Sequence, residues 1–145
     1  MQVFKYFVVA TLFLSYPISS YATWGPYKLV NPVAIDGDTF KGMFQVFEGI
    51  WVQKSIRIRG VDTPETKSKA ACERLAAAKA ANFLGNTLVN SSIEIKNVDD
   101  DKYSGRVDAD VLVNGKDLAT VIIQSGNGRV YDGKKRDPWC KDISL

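Results

Sequence analysis

Apolar and polar positions alternate from Tyr27 to Ile35, and the run closes at Asp36-Gly37. Asp38 to Phe47, DTFKGMFQVF, alternates in part, and Glu48-Gly49 follows as a turn signal. A third run extends from Trp51 to Val61 and is stopped by Thr63-Pro64. These segments predict three strands joined at hairpin corners. From Lys67 to Val89 the period changes. Cys72, Leu75, Ala76, Ala80, Phe83, Leu84, Thr87 and Leu88 recur at three- and four-residue steps, which predicts an amphipathic helix. Its alanines favour that helix on propensity alone. Ser92 to Val98 alternates again, Asp99 to Gly105 reads as a polar turn, and Arg106 to Val113 reads as a further strand before Asn114-Gly115. Leu118 to Gln124 predicts a short helix stopped by Ser125-Gly126, and Arg129 to Tyr131 a short extended piece.

Three strands, a helix, two strands and a helix lack the regular strand–helix alternation of a wound parallel sheet. The pattern is α+β. Five strands with a helix between the third and fourth fit a small Greek-key barrel of the OB type. A glycine inside a strand marks a bulge, so Gly60 is expected to swing Asp62 toward the side that Arg57 faces.

The first residues do not fit this pattern. Lys5 precedes a short apolar run, Tyr6 to Leu14, which Pro17 breaks, and Ser20-Tyr21-Ala22 places small residues at both −3 and −1 of a cut. That layout predicts a signal peptide over residues 1–22, cleaved after Ala22, and a secreted or periplasmic domain over residues 23–145. The alternative is a membrane anchor, but the run is about half of the ~20 residues that a spanning helix needs. No membrane association is expected after cleavage, and nothing in the sequence calls for an oligomer.

Composition narrows the chemistry. The net charge of +3 permits a polyanionic partner without demanding one. The chain has no histidine and two cysteines, Cys72 and Cys140, which makes a zinc site untenable. In an exported chain an even cysteine count reads as a disulfide. Two unrelated buried thiols are the alternative. A bridge would tie the tail to the long helix, and a loop of that length is worth roughly 4 kcal/mol in the chain-entropy model.

Individually, the charged residues have plain explanations. Asp36-Gly37-Asp38 suits a hairpin turn. Arg57 and Arg59 suit the wet face of a strand. Glu65 suits the start of a helix. Asp99-Asp100-Asp101 and Lys134-Lys135-Arg136 suit solvated turns, the latter with the alternative of a basic tail that touches a phosphate chain. Collectively they supply what phosphodiester hydrolysis requires: oxygen ligands for a hard cation, a carboxylate to orient water, and cations for the charge that builds on phosphorus. Without histidine, the base must come from carboxylate, lysine or tyrosine.

Three separated blocks, IDGDT (Ile35–Thr39), RIRGVDTPE (Arg57–Glu65) and DKYSGR (Asp101–Arg106), resemble the thermonuclease family, the staphylococcal-nuclease-like phosphodiesterases. The resemblance runs from about Tyr27 to Tyr131, and its order and spacing are specific in combination. It implies a five-stranded OB barrel with helices. It implies Ca2+ held by Asp38, Asp62 and the backbone carbonyl of Thr63, an all-oxygen shell that calcium accepts. Glu65 falls on the general-base position. Arg57 and Arg106 fall on the two arginines that hold the phosphate, a task suited to their planar fork. Asp36 would support the metal ligands. Lys102 and Tyr103 fall in the nucleotide-contact loop, and Tyr131 is a candidate for stacking on a base. The implied reaction is cleavage of DNA and RNA to 3′-phosphate ends, with single-stranded substrate preferred.

The chain departs from the family pattern in three places. Ser104 is an extra residue in the usual Lys-Tyr-Gly-Arg block, so the placement of Arg106 depends on its loop. Lys41 to Lys54 is longer than in the type member. Few residues follow Tyr131 where the family has a long helix, and a Cys72–Cys140 bridge is expected to take over that anchoring role. The rival reading is a non-catalytic OB-fold module that binds nucleic acid. Such a module needs arginines and aromatics, but has no use for Asp38, Asp62 and Glu65 together.

Overall fold

The structure is a computed structural model and describes residues 26–140, so the predicted signal peptide lies outside the described residues. In chain order the elements are β1 (Tyr27–Ala34), β2 (Thr39–Phe47), β3 (Ile50–Ile58), β4 (Val61–Asp62), α1 (Ala71–Leu88), β5 (Ile93–Asp100), β6 (Arg106–Val113), β7 (Lys116–Asp117), α2 (Leu118–Gln124) and β8 (Arg129–Val130). The strands run β3-β2-β1-β5-β6 around the sheet, and a parallel pairing of β3 with β6 closes them into a five-stranded barrel. With its two helices this is the α+β OB architecture that the element order predicts. No helix among the described residues is long and apolar enough to cross a membrane.

The barrel closes because one side of each strand is apolar. In β6 the burial alternates strictly, with Val107, Ala109, Val111 and Val113 inside. Phe40, Ile56, Ile58 and Ile95 meet them from the other strands, and Leu84, Leu88, Leu118 and Ile122 from the helices. Each large apolar side chain buried this way contributes about 1.5–3 kcal/mol, which makes the barrel the rigid frame of the molecule.

The differences from the sequence expectation are local. β3 ends at Ile58 rather than Val61, and Gly60, with φ +84°, makes a turn rather than a bulge. That turn takes Val61-Asp62 out of the barrel sheet, with Val61 still in the core, to pair with Val130 and Arg129 of β8. The long helix begins at Ala71 rather than Lys67. The residues before it are used otherwise: Ser68 donates from its backbone to the Glu65 carbonyl and from its hydroxyl to Glu73. The buried stripe of α1 is Ala77, Ala80, Leu84 and Leu88, and the expected Leu75 is 76% exposed. The first turn of α1 lies beyond the barrel wall, so Cys72 faces outward and is bonded to Cys140. Asp99 and Asp100 continue β5 instead of forming a turn, after a register shift at Asn97, whose φ is +49°.

Two features aim the chain at a single place. A Cβ on Gly37 would lie 2.6 Å from the Cβ of Ala80 and 2.7 Å from Oγ1 of Thr63. The Asp36–Asp38 turn is therefore pressed between α1 and Thr63, a contact that only glycine permits. The parallel β3–β6 register places Arg57 beside Asp108 and Ser55 beside Arg106, so these side chains emerge from adjacent strands.

Candidate active site

Arg57 is almost wholly buried. Its Nη1 lies 2.6 Å from Oδ1 of Asp38, and its Nη2 donates to the Val61 carbonyl at 3.1 Å. The turn at Gly60 makes the second bond available, because it brings Val61 back over the strand end. The Asp38 carboxylate is held on every side. Thr39 donates to Oδ1 at 3.1 Å, while the backbone N–H and the hydroxyl of Thr63 donate to Oδ2 at 3.1 and 3.0 Å. Burial pushes the Asp38 carboxyl above the usual carboxylate range, and the Arg57 charge opposes that rise. Asp36 contributes from behind: its Oδ1 accepts the Asp38 N–H at 3.1 Å.

Asp62 is fully buried and has a different set of partners. Arg129 approaches Oδ2 through Nε at 3.1 Å, Trp139 donates to the same oxygen at 3.2 Å, and Nε of Arg136 lies 3.0 Å from Oδ1. Arg136 also pairs with Glu65. The Arg136–Asp62 contact is one of charge only, because no N–H points at Oδ1, which is left as a buried acceptor without a hydrogen bond. Nη1 of Arg57 is likewise a buried donor whose N–H misses the oxygen beside it. Glu65 is half exposed, and the Glu73 carboxylate accepts its backbone N–H at 3.2 Å.

Arg57, Glu65, Lys102, Tyr103, Arg106 and Tyr131 line one open cleft of about 890 Å³. The extra Ser104 is absorbed by the loop, so Arg106 does reach the cleft. Asp101 holds Nε of Arg106 at 2.6 Å, and the guanidinium lies 4.6 Å from the centre of the Tyr103 ring. Burial acts upward on the Asp101 carboxyl. The Arg106 and Tyr103 hydrogen bonds and the Arg106 and Lys102 charges outweigh it and hold the group below its usual value. Lys102 also lies over Tyr103, and Arg136 lies 5.4 Å from the Tyr131 ring. Both candidate stacking rings therefore already carry a cation.

Arg59, the second arginine of RIRGVDTPE, borders the same cleft but its guanidinium is taken up by other partners. It is spent on Asp99, Asp110 and the Asn97 and Asp108 carbonyls. Four residues of this region escape the sequence reading: Asp108, Arg129, Arg136 and Trp139. Alternation from Arg106 along its strand would have placed Asp108 on the same face. Nothing local marks the other three: Arg129 reads only as part of a short extended piece, Arg136 as part of a solvated turn, and Trp139 as an isolated apolar residue of the tail.

Asp108 is a carboxylate in a cleft of cations. Burial and the neighbouring Asp101 charge raise its pKa, against Arg57, Arg106 and Arg59. A group whose folded pKa is raised favours the fold most when protonated, and that contribution is lost as pH rises through the folded value. Asp108→Asn is therefore expected to raise the melting temperature at pH 7, with the gap closing at pH 4. Thermal unfolding at the two pH values checks this.

No curated protein matches the chain. Residues 55–143, from the middle of β3 into the tail, match the family described as staphylococcal nuclease homologue. Arg57, Asp62, Glu65 and Arg106 all lie within the match, which spans more than half of the sequence, and on that ground the chain belongs to the staphylococcal nuclease homologue family.

Proposed function

We propose that this protein is an exported, calcium-dependent nuclease that hydrolyses the phosphodiester bonds of DNA and RNA without regard to the sugar, leaving 3′-phosphate ends. The observation that carries the proposal is the convergence of Arg57, Arg106 and Glu65 on one open cleft, two of whose lining residues, Arg57 and Arg136, lie against the buried Asp38 and Asp62.

Arg57 and Arg106 reach the cleft from adjacent strands and offer guanidinium groups to one phosphate. A guanidinium pairs with phosphate oxygens in a plane. Glu65, half exposed in the same cleft, takes a proton from a water. The water oxygen bonds to phosphorus, the bond from phosphorus to the 5′ oxygen breaks, and that oxygen leaves as a hydroxyl after protonation from solvent. The two arginines neutralise the charge that accumulates on the phosphoryl oxygens as this happens. Contacts of this kind grip the backbone and carry no base information, which agrees with loose specificity.

The residues fit a hard cation in donor type. Asp38, Asp62 and the carbonyl of Thr63 supply oxygen only, and Oδ1 of Asp62 is a buried acceptor without a hydrogen bond. Among the described residues no group of three or more acidic, histidine or cysteine side chains gathers around one point. Such a cation would keep water or substrate oxygens in its shell, as calcium commonly does. When bound, it would add positive charge beside the phosphate. Export rests on the sequence over residues 1–22, and single-stranded preference and a monomeric state on the resemblance and the absence of any sequence reason for an oligomer.

Incubation with denatured DNA tests the proposal. Degradation with calcium, its loss with chelator, a lower rate with magnesium and 3′-phosphate ends are expected. Binding without degradation would instead identify a non-catalytic OB-fold module, and equal rates with magnesium would remove the calcium assignment.

A further inference from the structure

The tail from Tyr131 to Cys140 folds back across the candidate site. β8 places Arg129 beside Asp62 by strand register. The Arg129 guanidinium lies 4.3 Å from the centre of the Trp139 ring and also bonds the carbonyls of Asp137 and Pro138. Trp139 itself donates to Asp62 at 3.2 Å. One residue further, Cys140 is bonded to Cys72 on α1. The tail is thus pinned at both ends, and Arg136 lies between the pins, against Asp62 and Glu65 together.

We propose that this tail is an inhibitory strap, in which Arg136 occupies Asp62, a carboxylate that the divalent cation requires, together with the base Glu65, and that the Cys72–Cys140 bridge keeps it there. The inference rests on the metal reading given above. Charge balance supports it. Asp62 and Glu65 carry two negative charges, and Arg129 and Arg136 already neutralise them. A divalent cation added to this group would leave two positive charges in excess unless an arginine withdrew. Arg129 is stacked, multiply bonded and held by strand pairing, and is not the one to move. Arg136 is more exposed, has no hydrogen bond to Asp62 and hangs from a loop. Its withdrawal would free Oδ1 of Asp62 and the carboxylate of Glu65 at once. The bridge matters because it keeps the tail close to the site. Once it is reduced, the described residues beyond β8 keep the Tyr131 N–H bond to the Gly60 carbonyl and the Arg129 and Trp139 contacts but lose their covalent tether, and the local concentration of Arg136 at the carboxylates falls.

Terbium luminescence, titrated on the purified full chain without nucleotide, tests the proposal, with terbium standing in for calcium. If the strap covers the site about nine-tenths of the time, removing it improves apparent affinity about tenfold. Arg136→Ala is expected to bind terbium about tenfold more tightly than the oxidised wild type, and Arg136→Lys to fall between them. Reduced wild type, or Cys140→Ser if reduction lowers stability too far, is expected to move toward Arg136→Ala. Reduction of Arg136→Ala itself should change little. Wild type that binds terbium with the same affinity as Arg136→Ala, or more tightly, would overturn the strap and leave the metal reading intact. Failure of every variant to bind would remove both.

Discussion

Glu65→Gln is expected to lower kcat by about 10²–10⁴ while nucleotide affinity stays within a factor of a few, the span that general bases contribute. The substitution preserves shape and removes only the negative charge. The backbone of Glu65 is fixed independently of its side chain, through its N–H to Glu73 and its carbonyl to Ser68, so glutamine should keep the loop in place. Arg57 and Arg106, which hold the phosphate in the proposed mechanism, have no contact with Glu65, so ground-state binding should survive. The measurement is kcat on denatured DNA beside the Kd of a nucleoside 3′,5′-bisphosphate. A parallel collapse of both would make Glu65 a structural residue and return the base assignment to an open question.

The second large effect belongs to Arg57→Ala, and it acts on stability as well as on rate. The Arg57–Asp38 pair is nearly inaccessible, with side-chain exposures of 9% and 8%. Breaking a buried pair by deleting one partner typically costs about 3–5 kcal/mol, because the other charge stays buried and unpaired. Asp38 has its pKa raised by burial even with Arg57 beside it. Without Arg57 the rise must be larger. The carboxyl then folds best when protonated, and this contribution is lost as pH climbs through the raised value. Arg57→Ala should therefore lose more stability relative to wild type at pH 8 than at pH 5, as measured by denaturant unfolding. Arg57→Lys restores the charge but not the fork that reaches both Asp38 and the Val61 carbonyl, so it should recover stability more fully than turnover. Wild-type stability in the alanine variant would show that the pair contributes nothing.

The arrangement around these two residues explains how much the sequence reveals. The strands and both helices follow from period, and the second helix and β6 fall within their expected limits, because each is specified by neighbours a few residues apart. Alternation in β6 is strict since one face meets the core and the other meets water. The long helix is right in kind but rotated in detail. Helical period alone fits several stripes in an alanine-rich segment, and contact with the barrel selects Ala77 in place of Leu75. Gly60 was recognisable as a special position, yet its effect depends on β8, which gives Val61-Asp62 a strand to pair with.

What the sequence determined by itself was the OB class of the fold, and it supplied Asp38, Arg57, Asp62, Glu65 and Arg106 as candidates, because turn chemistry, periodicity and short charged blocks are local properties of a chain. Only the tertiary structure decided which charges meet. It sends Arg59 to the acidic face of the barrel and brings Asp108 beside Arg57 through a parallel pairing. It also lays Arg129 and Trp139, 67 and 77 residues away in sequence, on Asp62, and Arg136 on Asp62 and Glu65 together. The physical reason is range. A buried ion pair is decided by a few ångströms between side chains, and the closed barrel, the β4–β8 pairing and the Cys72–Cys140 bridge bring residues so distant along the chain within that reach.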